Sequence, residues 1–520
     1  MAFRIPYALL SDEHKVLIKK DLSLKEKSAG YSPWKGNQKW SSQSVKSIDF
    51  YLIDQEHPTY PELGPDLLIP LYYASTLFKT PIPNRRRTYP RVPPFQVKVQ
   101  PRDYQVEVIN ISIRNFMERG TTFPNVFCSY GKTYVAAFFA AMFSQQYGLA
   151  TLVTYPRRII GNSWLGTFQE KTTAKIYVVG ETQGPPDPDV QVFLCMDTRL
   201  KQLDREIRQK IGHFVLDEAD CFCTVGHVEG LLSVEPMFMT ALTATYERDD
   251  GFEKMLDLLV GPERIIRISK KPFFVFQIPT KYEVEPRIGP RGVIFGSIVE
   301  QLDANQERNA MIIQLVLDNL DQKILIVTKH VEHAKNLHQW LLYYLQGTGK
   351  TVSILVGNTK SYNDADVLIT TFSKAGRGFD EESGCLNWGG RRIGMGILAA
   401  STKKIEQPAG RFLRAEIPVI FDIVDNQKNL KDHWRIRKKW YESRNGQIFT
   451  IDGRFVWSQH RDRMIADYFA SLRFKGPEDP GTTTQSPSQV KAQIRDDISQ
   501  ASARSLASKM SLAEMKTASW

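Results

Sequence analysis

Residues 213–220 read HFVLDEAD, an apolar run that ends on acids. A strand here delivers Asp217 and Glu218 to its carboxyl end, the edge at which open α/β sheets bind ligands. Outward from it, between Val97 and about Ile268, short apolar stretches alternate with helical ones: VFC, ATLVTYP, KIYVV, VQVFLC, HFVLDEAD and MTALTAT. That rhythm predicts a parallel sheet wound with helices. It returns later, with helices over RNAMIIQLVLDNL and HAKNLHQWLLYYL and strands over KILIVTK, VSILVG, ADVLITT and PVIFDIV. The fold class is therefore α/β, with two such units.

Upstream, the stretch VFCSYGKTYVAAF from Val126 has the shape of a phosphate-binding loop, G-x-x-x-x-G-K-[ST]. Gly131, Lys132 and Thr133 are in place, but Val126 stands at the first glycine and Ser129 in a slot often glycine. The loop residues Cys128, Ser129, Tyr130 and Gly131 are candidates to line ATP, and the amides of Lys132 and Thr133 open a helix whose dipole favours anions. Lys132 would reach the β- and γ-phosphates. Asp217 and the Thr133 hydroxyl would hold Mg²⁺, and Glu218 would orient and deprotonate the attacking water. Gly-Lys-Thr alone is a weak signal, but joined to a downstream strand-borne DEAD it is strong.

The chain has 520 residues, 42% hydrophobic, with a net charge of +11. That length suits about three domains, and that charge attracts polyanions, which raises nucleic acid as a partner. The five cysteines, Cys128, Cys195, Cys221, Cys223 and Cys385, are too sparse for a disulfide framework and fit a reducing, intracellular compartment. Cys221 and Cys223 lie near His213 and His227, yet their spacing lacks the second paired half of a structural zinc site, so we read idle thiols. No signal peptide is expected at the N-terminus. The run YVAAFFAAMF is far shorter than the roughly 20 residues that span a bilayer, so no membrane role is expected.

Further stretches occur in a telling order: PRDYQ before the loop, VTYPRRIIGNSW after it, ALTAT after the acids, then KILIVTKH, ITTFSKAGRGFD and QPAGRFLRA. This set resembles the superfamily 2 helicases and translocases over most of residues 95 to 460. The resemblance implies two RecA-like domains, with ATP in the cleft between them and nucleic acid across both. It also implies that Gln105 reads the adenine edge, that Thr243 and Thr245 couple the ATP site to the strand-binding surface, and that Asp380, helped by Gly376 and Gly378, meets the nucleotide from the second domain. Gln407, Arg411 and Arg414 would face the γ-phosphate, so that hydrolysis is tied to closure of the cleft. Nucleic-acid contacts are expected from Arg157, Arg158, Thr198, Arg199, Lys329, Thr370 and Thr371, with a solvated surface charge as the plain alternative for each basic residue.

The stretches VTYPRRIIGNSW and QPAGRFLR look more like the DNA-translocating branch than like DEAD-box RNA helicases, so DNA is expected ahead of RNA. LLIPLYYA, a basic proline-rich connector, PRDYQVEVI and the SYGKT loop are similar to the poxvirus transcript-release DNA helicases and their relatives in large cytoplasmic DNA viruses. That likeness implies 3′ to 5′ tracking, a role beside the transcription machinery, and the host cytoplasm or virion as location. The alternatives are an RNA helicase and a nucleic-acid-binding scaffold with a feeble ATPase.

The organisation expected is an N-terminal accessory domain and connector (1–94), an ATP-binding RecA-like domain (95–285), a second RecA-like domain (286–475) and a flexible tail (476–520). Within LKDHWRIRKKWYESRNG, Leu430, Trp434 and Tyr441 share one helical face and are expected to pack as core; Arg435, Lys438 and Lys439 form a basic set. Tyr72 and Tyr73 are read as core in preference to base-stacking rings.

Overall fold

The computed structural model of the chain describes residues 1–27, 46–127, 130–269, 271–290, 292–359, 361–376 and 381–474, with backbone alone at 382–383, 407 and 471–474. The expected tail, and the candidates Cys128, Ser129, Gly378 and Asp380, lie outside the described residues. The chain divides into two compact units: Met1–Gln100 with Ser112–Trp457, and Pro101–Ile111 with the chain from Ser458.

The larger unit begins with a small antiparallel sheet of β1 (Ala2–Pro6), β2 (Leu52–Asp54) and β3 (Asp66–Pro70), in the order β1-β3-β2. Next come β4 (Thr121–Thr122), β5 (Pro124–Val126), β6 (Ala150–Tyr155), β7 (Ile176–Val178), β8 (Val192–Met196), β9 (Ile211–Asp217), β10 (Phe238–Leu242) and β11 (Ile265–Arg267). Six of them form a parallel sheet in the order β4-β10-β9-β6-β8-β7, while β5 pairs with β11. The strand expected at VFC is thus displaced towards the N-terminus, to Pro124–Val126. Pro124 has no amide hydrogen to give to a ladder, so pairing with β10 breaks after Thr122 and β5 turns to β11.

A second, seven-stranded parallel sheet is built from β12 (Phe273–Pro279), β13 (Ile324–Thr328), β14 (Val352–Leu355), β15 (Val367–Thr371), β16 (Met395–Leu398), β17 (Val419–Val424) and β18 (Gly446–Thr450). Its order is β14-β15-β13-β16-β17-β12-β18. Because β12 pairs with β17 and β18, the chain has crossed to the second sheet by Phe273, ahead of the break expected at 285. Five helices matter below: α1 (Lys132–Tyr147), α2 (Arg158–Lys171), α3 (Glu381–Gly384), α4 (Glu406–Phe412) and α5 (Lys428–Glu442).

Alternation along the strands of the first sheet supplies two cores. Val153, Leu194 and Val215 face α1 and α2, packing with Ala136, Ala140, Trp164 and Phe168. Their neighbours Leu152, Phe193, Phe214 and Leu216 face the other way, onto Met1, Leu67, Ile69 and Leu71. The N-terminal segment therefore covers one face of this sheet and shares its core; it has no separate one there. Buried Glu235 fastens the junction, accepting from Arg4 Nε at 2.9 Å and from Arg87, while Tyr89 donates to its carbonyl at 2.9 Å. Tyr73 is buried and donates to Asp21, and Tyr72 lies against Gly261.

Candidate nucleotide site and strand-facing surface

Helix α1 starts at Gly131, whose φ of 90° and ψ of 37° favour a residue without a Cβ. The loop is held on both sides: Phe127 donates its amide to Arg267, Tyr130 donates to Phe127, and the two rings meet at 5.3 Å. Among the described residues no side chain caps the helix. Lys132 lies half-buried at its first position.

Asp217 ends β9 and is 6% exposed. Its Oδ2 accepts the indole N–H of Trp164 at 2.8 Å and its Oδ1 accepts the amide of Glu218 at 3.0 Å. Burial, and then the neighbouring Glu218, push the Asp217 carboxyl above the ordinary carboxylate range, with Lys132 and the Trp164 bond pulling against them. Glu218 sits at φ 51°, ψ 51°, an uncommon left-handed backbone for a residue with a side chain. Its Oε2 is buried and has no hydrogen-bond partner among the described residues. The structure thus brings Lys132, Asp217 and Glu218 into one electrostatic group at the carboxyl edge of the first sheet.

The next motif is wired to this one. Thr243 Oγ1 lies 2.8 Å from Asp220 Oδ1 and 2.7 Å from the carbonyl of Thr245, whose amide it accepts at 3.0 Å. Arg248 adds a bond to the Asp220 carbonyl and pairs with Asp250. The Oγ1 of Thr245 is buried and unpartnered among the described residues. Arg248 was invisible to motif reading, because it follows the motif in a turn without periodicity.

In the second lobe, Arg411 is 9% exposed and donates from Nη2 to the Gly376 carbonyl at 2.7 Å, bracing the chain at Ala375 and Gly376. Arg414, half-buried just past α4, acts on the carboxyl of Glu381, which burial raises and the surrounding cations lower. Glu381 heads α3, and α3 packs against α2 of the first lobe. The two lobes also meet where Arg157 Nη1 approaches the Ser373 carbonyl at 3.4 Å and Lys404 faces Asp249 at 3.3 Å. Gln105 belongs to the smaller unit, where it is buried and its Oε1 accepts the Arg102 amide at 3.0 Å. For Gln407 only the backbone, within α4, is described.

The strand-facing candidates divide by exposure. Arg157, Arg158, Thr198, Arg199 and Lys329 are exposed. Arg158 pairs with Glu181 at 3.1 Å, the Arg199 guanidinium lies over Gly180, and Lys329 lies over the Phe295 ring at 4.5 Å. Thr370 and Thr371 are buried: one hydroxyl donates to the Leu355 carbonyl at 2.7 Å and the other meets Ser373 Oγ at 2.9 Å. Of the thiols near His213, Cys223 is buried, and His213 itself lies buried between Thr151 and Thr240.

Residues 98–248 match the family described as "Type III restriction enzyme, res subunit". The chain is 24% identical over 374 residues to "Putative helicase 161L" of Invertebrate iridescent virus 6, covering 67% of this chain and 82% of that protein. These likenesses support helicase function for the chain. This helicase is also 33% identical over 112 residues to "Uncharacterized protein 108L" of Invertebrate iridescent virus 3, which is 97% covered, with 20% of this chain aligned. A "Putative ATP-dependent RNA helicase" of Acanthamoeba polyphaga mimivirus is 22% identical over 474 residues, 84% of this chain and 86% of that protein. Helicase-family membership implies nucleotide hydrolysis, and the two large sheets are parallel and flanked by helices. No described helix is long and apolar enough to cross a membrane.

Proposed function

We propose that this helicase hydrolyses ATP at the carboxyl edge of the first sheet and uses the cycle to track along DNA, in support of viral transcription. One observation carries the reading: the buried, unpartnered Glu218 Oε2 next to Asp217, with Lys132 acting on the same carboxylate. Buried Asp217 and half-buried Glu218 against one lysine leave negative charge uncompensated, and hard oxygen donors of this kind fit Mg²⁺, with Asp217 and the Thr133 hydroxyl as its holders. Bound there, Mg²⁺ would neutralise charge on the triphosphate. Lys132 orients the β- and γ-phosphates. Glu218 holds the attacking water and takes its proton, for which a carboxylate oxygen with no competing donor is suited. Arg414 supplies positive charge to the transition state when the lobes close, while Arg411 holds the chain at Ala375 and Gly376.

The net charge of +11 and the exposed Arg157, Arg158, Arg199 and Lys329 support a phosphate backbone as the track. The motif likeness favours DNA; the RNA-helicase name of one relative keeps RNA as the second reading. The test is ATP turnover measured with matched DNA and RNA strands, single and double. DNA-stimulated turnover that disappears in Lys132→Ala supports the proposal. Stimulation by RNA alone would transfer it to the second reading, and salt-sensitive strand binding with no turnover would leave a scaffold.

A further inference from the structure

Trp164 has no part in the chemistry described above, yet its indole N–H lies 2.8 Å from the carboxylate that would hold the metal. It is fully buried and stacks on Phe168, one turn further along α2. The same helix begins at Arg157 and Arg158, both exposed, and Arg157 reaches Ser373 in the second lobe. Six residues of helix separate Arg158 from Trp164, roughly 9 Å along the axis. The intervening Gly161 lets the helix lie directly on Tyr155 at the end of β6, since a Cβ there would be 2.4 Å from the ring. The helix is therefore seated tightly on the sheet, with a strand-facing end and a metal-facing turn.

We infer that Trp164 is a positioning residue, whose N–H fixes the rotamer of Asp217 and transmits to it any shift of α2 caused by nucleic acid at Arg157 and Arg158. The inference rests on the proposed ATP site. A hydrogen bond from a rigid, buried ring orients a metal-holding carboxylate, and losing such an outer partner commonly weakens metal affinity about 10- to 100-fold. Because coupling between two binding sites is reciprocal, a strand that moves α2 must change nucleotide affinity through this contact.

The experiment measures binding of a non-hydrolysable ATP analogue by titration calorimetry, with and without Mg²⁺ and with and without saturating single-stranded DNA. Trp164→Phe keeps a ring and removes the donor. It is expected to raise the Mg²⁺ concentration at half-effect about 10-fold or more and to bring the strand-induced change in affinity towards none. In an Asp217→Asn background the same substitution should add nothing. The exposed Arg157→Ala, which does not endanger folding, should also shrink the strand effect at saturating strand. Wild-type values for Mg²⁺ dependence and strand effect in Trp164→Phe, or a full strand effect in Arg157→Ala, would overturn the inference. A wild-type protein with no Mg²⁺-dependent nucleotide binding would instead sink the proposed ATP site.

Discussion

Each parallel sheet buries an aspartate borne on one of its strands, and the two are treated in opposite ways. Asp422, on β17, accepts from Arg437 Nη2 at 2.7 Å, from Arg437 Nε at 2.8 Å and from the Tyr441 hydroxyl at 2.9 Å. Among the described residues Asp217, on β9, accepts only from an indole and an amide, and beside it stands a second acid with an oxygen unpartnered among those residues. A carboxylate enclosed by its own guanidinium has nothing left to offer a ligand. One left short of positive charge, at the edge where sheets bind ligands, is set up for a cationic group. On the proposed reading, the contrast separates a structural acid from a working one.

The largest effect is expected from Arg414→Ala, which should lower nucleic-acid-stimulated turnover about 10³- to 10⁵-fold with ATP binding nearly intact; loss of binding would mark Arg414 as structural. Arg437→Met leaves the Asp422 charge buried without its counter-ion, and should cost about 3–5 kcal/mol of stability in denaturant unfolding, whereas Asp217→Asn should remove turnover while leaving unfolding nearly where it was. Equal stability losses from the two would erase the distinction. Glu218→Gln should slow turnover about 10²- to 10⁴-fold and leave nucleotide affinity within a few-fold.

A pH effect follows from His213, which burial lowers to about 3. Its folded value lies below the ordinary one of about 6.5, so the unfolded chain binds the extra proton first. This contribution to stability is full above pH about 6.5 and is lost as pH falls towards 3, at up to about 1.4 kcal/mol per unit. Unfolding followed from pH 7 to 4 should show a loss that His213→Gln flattens. The smallest effect is expected at Lys329: removing it should weaken DNA binding uniformly across sequences and lower the salt slope by about one.

Much of the fold was legible because buried parallel strands are unbroken apolar runs, and nearly every such run became a strand. What periodicity does not reveal is partnership. Phe273–Pro279 is visibly strand-like, yet nothing in its residues says that it joins the second sheet, and no local signal says that the N-terminal segment covers the first. The site shows the same division. Asp217, Glu218, Lys132 and Thr243 stand in short motifs whose spacing reflects a strand end or a helix start. Trp164 was hidden because Trp164 and Phe168, four residues apart on a helix, read as core, which they are; the N–H that reaches Asp217 adds no pattern. Arg437 was hidden among the basic residues of α5, where only the Asp422 carboxylate on a different strand distinguishes it from the exposed Arg435 and Lys438.

The most direct measurement is steady-state ATP turnover by the full chain, with and without single-stranded DNA, in the wild type and in Lys132→Ala. The account predicts a basal rate that DNA raises many-fold in the wild type and no turnover above background in the variant. A wild type that DNA does not stimulate, or a variant that hydrolyses ATP as the wild type does, would contradict it.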